Sequence, residues 1–274
     1  MFIRNIKEEL YRGFHNRGMY MALVLGIFFI ICHFLFVIMK YASSYIGVYI
    51  NIDYPSNVFT TTLMFDMEGV FPIYYAYIFP LFAALPFASS YYDECKNGYR
   101  NQVLLRGGMG NYLCSKYIAV FVTAGVVVSI PLLFDLMLSM ACLPSLIPQN
   151  GLSIYAVAEQ DWMGELFYTH PFFYIFLYLF VLFCLAGILA SISLAVSAFL
   201  SGKYIVLFMP FIVSLILESI VTFIGKEKWS VFNIVFKGRM DISSARIVFL
   251  IWPIIAVISF ILYYRAGGKK YDKL

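Results

Sequence analysis

Apolar residues in this chain run in six long blocks rather than in narrow stripes. The blocks are Met19–Met39, Ile73–Ser90, Ile118–Cys142, Phe172–Leu200, Tyr204–Ile224 and Ile247–Tyr264. A membrane-crossing helix needs about 20 mostly apolar residues at a rise of about 1.5 Å each, so the pattern predicts six crossing helices. Ahead of the first block, Ile3, Ile6, Leu10 and Phe14 recur at helical spacing while Arg4, Lys7, Glu8 and Arg12 fall elsewhere. That spacing predicts an amphipathic helix over residues 1–18, lying in the membrane interface with its apolar face down. Tyrosines gather near block ends (Tyr20, Tyr41, Tyr117, Tyr204, Tyr263 and Tyr264), as an interfacial aromatic belt requires. The chain therefore reads as one all-α membrane domain over residues 1–274. Its longest basic loop, residues 91–117, is too short to fold independently.

Composition sharpens this picture. Of 274 residues 62% are hydrophobic and only 12% are charged, against about 25% charged in soluble domains. A chain so poor in charge cannot cover a water-facing surface, which excludes a soluble enzyme, a disordered chain and a disulfide scaffold. The net charge of +4 is consequently not a nucleic-acid signal, because basic residues in such a chain mark cytoplasmic loops. Four lie in the N-terminal segment (Arg4, Lys7, Arg12, Arg17), and four follow the second block (Lys96, Arg100, Arg106, Lys116). Lys203 sits between blocks four and five, and the tail adds Arg265, Lys269, Lys270 and Lys273. These thirteen put both termini in the cytoplasm. The loop Leu143–Pro171, acidic and without Lys or Arg, then faces outward. The segment 225–246 is also placed outside despite its five basic residues.

Three ionisable residues, His33, Asp135 and Glu218, lie within apolar blocks. Intramembrane charge is expensive and so nominates a functional site. These residues line a translocation path or carry protons, or else they sit near the outer headgroups and satisfy neighbouring helices. Gly187, Ser191 and Ala195 form a small-residue stripe at i, i+4, i+8, suited to close helix packing in lipid, either within one subunit or between subunits. The five cysteines show no metal-ligand spacing and read as buried or reduced thiols. Neither a P-loop, an HExxH pair nor a GxSxG elbow is present. The chain is therefore read as a non-enzyme that binds no cofactor or metal of its own.

The most informative segment is Ala88–Val120. After the second block come Glu94, then Gly98 four residues on, the apolar pair Leu104-Leu105, the Gly107-Gly108 break, and Lys116 just before the third block. This arrangement resembles the first cytoplasmic loop of bacterial ABC transporter permeases of the type-2 exporter class. The resemblance extends to six spans, termini inside and an N-terminal interfacial helix. It implies a cytoplasmic coupling helix within residues 91–117, seated on a separate ATPase subunit that carries ATP and Mg. Glu94, Arg100 and Arg106 would make docking contacts, Gly98 would permit tight approach, and Lys116 would complete the loop. It further implies short outer helices in residues 225–246 and a second permease subunit, identical or a sister chain. An amphipathic or hydrophobic cargo, such as a peptide, bacteriocin or lantibiotic, would move outward across the bacterial cytoplasmic membrane, with no nucleic-acid partner. The alternative is a proton-coupled secondary transporter using Asp135 and Glu218.

Overall fold

The computed structural model describes residues 2–44, 56–67, 69–100, 102–103, 108–149, 155–200, 202–226, 229–237 and 241–271. Arg106, Leu104, Leu105, Gly107 and Lys273, nominated from sequence, lie outside them. In chain order the helices are α1 (Phe2–Phe14), α2 (Arg17–His33), a π-turn (Phe34–Ile38), α3 (Met39–Ser44) and α4 (Val58–Thr61). Next come α5 (Val70–Ala84), α6 (Ser90–Lys96), α7 (Met109–Cys142), α8 (Gly164–Thr169) and α9 (Pro171–Ser197). The chain continues through α10 (Lys203–Phe223), α11 (Val231–Lys237) and α12 (Ile242–Tyr271). Five helices are long and apolar enough to cross a membrane: Arg17–Ser43, Met109–Cys142, Pro171–Ser197, Lys203–Phe223 and Ser244–Gly267. They match five of the six apolar blocks.

The second block behaves differently. Ile73–Ser90 reads as one continuous span, but the helix α5 holds 15 residues, about 22 Å by helical rise. The chain then passes through a turn before α6. Pro86, which donates no backbone hydrogen bond, sits in this turn, although proline alone does not break a helix here, since Pro80 lies inside α5. Irregular backbone survives at membrane depth only where protein buries it, and here the α1–α2 junction does so. The Asn16 side-chain amide donates to the Pro86 carbonyl at 2.9 Å. Gly18 lies so close to the Leu85 and Pro86 carbonyls that any Cβ there would strike backbone.

Contacts give the direction of each crossing helix. Along α2 and α7, Gly26 meets Pro131 and His33 meets Asp135, so the two run the same way. Along α7 and α9, Gly187 lies under the Phe121 ring and Gly125 under the Phe183 ring, which requires antiparallel helices. Helix α12 also opposes α7, with Gly110 near Tyr264 and the Tyr117 hydroxyl donating to the Ala256 carbonyl at 2.8 Å. As a result the N-terminal helix, α6, the start of α7, the start of α10 and the last turns of α12 share one end of the bundle. Of the basic residues counted above, Arg4, Lys7, Arg12, Lys96, Lys116, Lys203, Arg265, Lys269 and Lys270 belong to these segments. At the opposite end the loop before α8 meets the start of α12 through a backbone bridge, Asp161 to Asp241, with Trp162 against Phe249. Helix α11 inserts there: Val231, Phe232, Ile234 and Val235 are buried. Phe232 stacks on Tyr77 of α5 at 4.6 Å between ring centroids.

The core centres on α9. Its small residues face inward: Gly187 receives the Phe121 ring, and Ser191 hydrogen-bonds Ser259 of α12 at 2.9 Å. Ala195 is buried as well. The stripe therefore packs within the subunit, the first of the two arrangements open from sequence. Without a hydrophobic force between helices in lipid, such close packing is what holds them together.

Candidate functional site

Two buried polar clusters stand out, near opposite ends of α7. The first gathers where α1, α6 and α7 converge. Lys116 is wholly buried, and its ammonium lies 2.5 Å from both Glu9 Oε2 and Glu94 Oε1. Arg12 reaches the same two carboxylates, at 3.0 Å to Glu9 and 2.6 Å to Glu94, and the Tyr112 hydroxyl donates to Glu94. The Lys116 ammonium also sits 4.5 Å from the centre of the Phe87 ring, and the Arg12 guanidinium 4.3 Å from that of Tyr99, both cation–π distances. Two acids and two bases thus balance one another in a site largely closed to water. Burial pushes the Glu94 carboxyl up, but the opposing charges of Lys116 and Arg12 outweigh it and hold the group below the usual carboxylate range.

Helix α1 supplies this cluster through an unexpected face. Its inward stripe is Asn5, Glu9 and Gly13, while Ile3 is 69% exposed. Gly13 lies against Thr123 and Phe87, so a side chain there would collide. At about 100° per residue, this stripe sits roughly a quarter turn from the Ile3–Ile6–Leu10–Phe14 face. Ile3 at the start of the apolar face is exposed while Leu10 and Phe14 pack half-buried against the core, and the polar and small face docks on the protein.

Of the loop residues nominated from sequence, Glu94 and Lys116 come together directly. Arg100 is buried nearby, its guanidinium near the Tyr91 hydroxyl (3.4 Å) and the Cys95 sulfur (3.5 Å). These three face into the protein, so their side chains do not present themselves to a docking partner. Among the described residues of this loop, Lys96, Asn97, Tyr99 and Gln102 are exposed. Gly98 adopts φ +71° with nothing near its missing side chain. It follows the end of α6 as a left-handed stop, so backbone conformation rather than tight approach accounts for it. A cleft of about 560 Å³ opens between α1 and α6, bordered by Tyr11, His15, Asn16, Asp93 and Asn97.

The second cluster lies about 28 Å further along α7 by helical rise, close to a hydrocarbon thickness. His33 Nδ1 and Asp135 Oδ1 are 2.7 Å apart, and both side chains are buried. The other oxygen of Asp135 accepts from the Leu63 amide at 2.7 Å. Asp66 Oδ1 accepts from the Gly69 amide at 2.9 Å, and its Oδ2 lies 3.8 Å from His33 Nε2. Phe71 covers the imidazole edge-on at 5.7 Å. Asp135 thereby fastens α2 and the segment after α4 to α7 at one point. Glu218 is elsewhere: it accepts from Ser230 at the entry to α11 and is not a hydrogen-bond partner of His33 or Asp135. No group of three or more His, Cys, Asp or Glu with metal-holding geometry occurs among the described residues.

Sequence reasoning missed Glu9, Arg12, Tyr112 and Asp66. The i, i+4, i+8 run Asn5–Glu9–Gly13 was the available signal for α1. Asp66 carried none, because its partner is 33 positions away in the chain.

No family model and no curated protein matches this chain.

Proposed function

We propose that this chain is the membrane subunit of an ATP-driven exporter of the type-2 ABC kind. Energy would come from a separate ATPase subunit binding ATP and Mg, and a second permease subunit would complete the path. The cargo would be an amphipathic or hydrophobic molecule, such as a peptide, moved outward through a bacterial cytoplasmic membrane. The observation that supports this reading most is the charged cluster joining α6 to α1 and α7. A lever that carries movement from a soluble motor into the membrane must be rigid and tied to more than one helix. The α6 elbow meets both requirements: Glu94 is held by Lys116 of α7 and Arg12 of α1. On this reading Glu94, Arg100 and Lys116 position the elbow, while Lys96, Asn97 and Tyr99 offer the contact surface.

The test is purification of the tagged protein from mild detergent, followed by an ATPase assay on what accompanies it. Co-purification of a P-loop ATPase, lost in Lys96→Glu/Asn97→Arg while thermal stability stays at the parent value, is the expected result. A well-folded permease with no ATPase bound and no ATP turnover overturns the reading.

A proton-coupled carrier is the second reading, favoured by the buried His33–Asp135 pair beside Asp66. Glu218, hydrogen-bonded to Ser230, drops out of that carrier's central pair. Cargo movement in vesicles driven by a pH gradient, without ATP, would select it.

A further inference from the structure

Immediately after His33 the first crossing helix changes its winding. Residues Phe34–Ile38 form a π-turn, closed by the Met39 amide donating to the carbonyl of Phe34 five residues back. The Phe34 amide is shared between the carbonyls of Ile30 and Ile31, so the changeover falls at the residue that follows His33. A π-turn holds one residue more than an α-turn, is rare, and is frequently found at functional sites. It is held in place here from several sides. Ile38 is wholly buried while Phe36 is exposed to 68%. Phe71 of α5 touches both sides of the changeover, with His33 at 5.7 Å and Phe36 at 6.3 Å between ring centroids. Below it, Asp135 and Asp66 hold the imidazole.

We propose that this π-turn and the His33–Asp135–Asp66 cluster form a two-state register switch in the first membrane-crossing helix. With the cluster closed, His33 is locked against α7 and the extra residue is stored at Phe34–Ile38. Release of His33 lets the stored residue pass along the helix. Because α-helical residues are spaced by about 100°, everything beyond the turn, Met39–Ser44, then rotates by about 100° relative to Arg17–His33. Two discrete windings of one helix, biased by one polar cluster, make the kind of bistable element that a conformational change needs. The same cluster holds the Leu63 amide through Asp135, so release also frees the segment that leads into α5. The switch stands on this geometry alone and does not require the exporter reading.

Single spin labels at Met39, Lys40, Tyr41, Ala42 and Ser43, in protein whose native cysteines are replaced by serine and which is reconstituted in lipid, test it. Side-chain mobility along these positions reports which face of the helix is packed. The parent should show one pattern, with positions 41 and 42 more restricted than 39, 40 and 43, following their burial. Deleting Val37 removes the stored residue and leaves Met39–Ser44 on their parent faces of an unbroken α-helix, so the deletion should keep the parent pattern, with labels at Val24 and Phe28 also unchanged. His33→Gln and Asp135→Asn should each raise the shifted population by about tenfold or more, the worth of a charge-assisted hydrogen bond. A parent-like single pattern in both point variants overturns the switch. Where the point variants do not fold, the deletion decides: an unshifted pattern supports the switch, and a pattern shifted by one position, which would mean that Phe34–Ile38 stores no extra residue, overturns it.

Discussion

Replacing Lys116 with methionine isolates the charged cluster, because methionine keeps most of the side-chain length and removes only the charge. At an effective dielectric constant of about 20, each contact at 2.5 Å is worth about 6–7 kcal/mol of Coulomb attraction. Taking the ions out of water costs several kcal/mol apiece, so the intact cluster contributes little net stability. Removing one member is different. Lys116→Met leaves Glu9 and Glu94 buried, with only Arg12 between them. Uncompensated buried charge costs about 3–5 kcal/mol. At about 2–4 °C per kcal/mol for chains of this size, the midpoint should fall by roughly 10 °C. The assay is thermal unfolding in detergent, followed by the loss of monodisperse protein on size-exclusion chromatography. Lys116→Met/Glu94→Gln should recover part of the loss, because the second change removes one of the stranded charges. A Lys116→Met midpoint within a degree or two of the parent would refute the reasoning, since it would mean that water reaches the cluster and screens it.

Glu94 adds a pH signature with a defined sign. Its carboxyl is held below the ordinary value of 4.5, so its contribution is complete above that pH and is lost as pH falls through the depressed folded value. Glu94→Gln should therefore flatten the acid limb of the stability profile. The exposed pair between Lys203 and Asp93, 2.7 Å apart, is the contrasting case. Lys203→Ala should change stability by less than about 1 kcal/mol, and a larger loss would contradict the surface assignment. Gly187→Leu drives a side chain into the Phe121 ring and should cost about 1–3 kcal/mol as overpacking, read as a lower midpoint that Phe121→Ala partly restores. Gly98→Ala should cost about 1 kcal/mol, because the residue must hold a positive φ. An unchanged midpoint would show that the elbow adopts another turn.

Much of the architecture was legible from local pattern. Apolar blocks such as Phe172–Leu200 announce themselves because a lipid-spanning helix must satisfy its backbone internally and present apolar side chains over some twenty residues. Five of the six blocks became helices of crossing length. The exception, Ile73–Ser90, misled because hydropathy counts side chains and does not register the turn at Leu85 and Pro86, whose carbonyls face Asn16 and Gly18.

Interiors depend on pairings that hydropathy does not encode. His33 and Asp135 were singled out because charge in an apolar block is costly, yet nothing local showed that they satisfy each other across 102 positions. Glu94 and Lys116 looked like exposed loop charges because charged residues between spans ordinarily face water. Their burial depends on Glu9 and Arg12, brought in by a helix whose inward face fits through Gly13 against Thr123. By itself, then, the sequence determined the all-α membrane class, the placement of the long helices and the residues for which burial would be expensive. Only the tertiary structure decided which of those residues share a pocket, because charge balance and close packing are properties of pairs, and pairs distant in the chain are made by the fold.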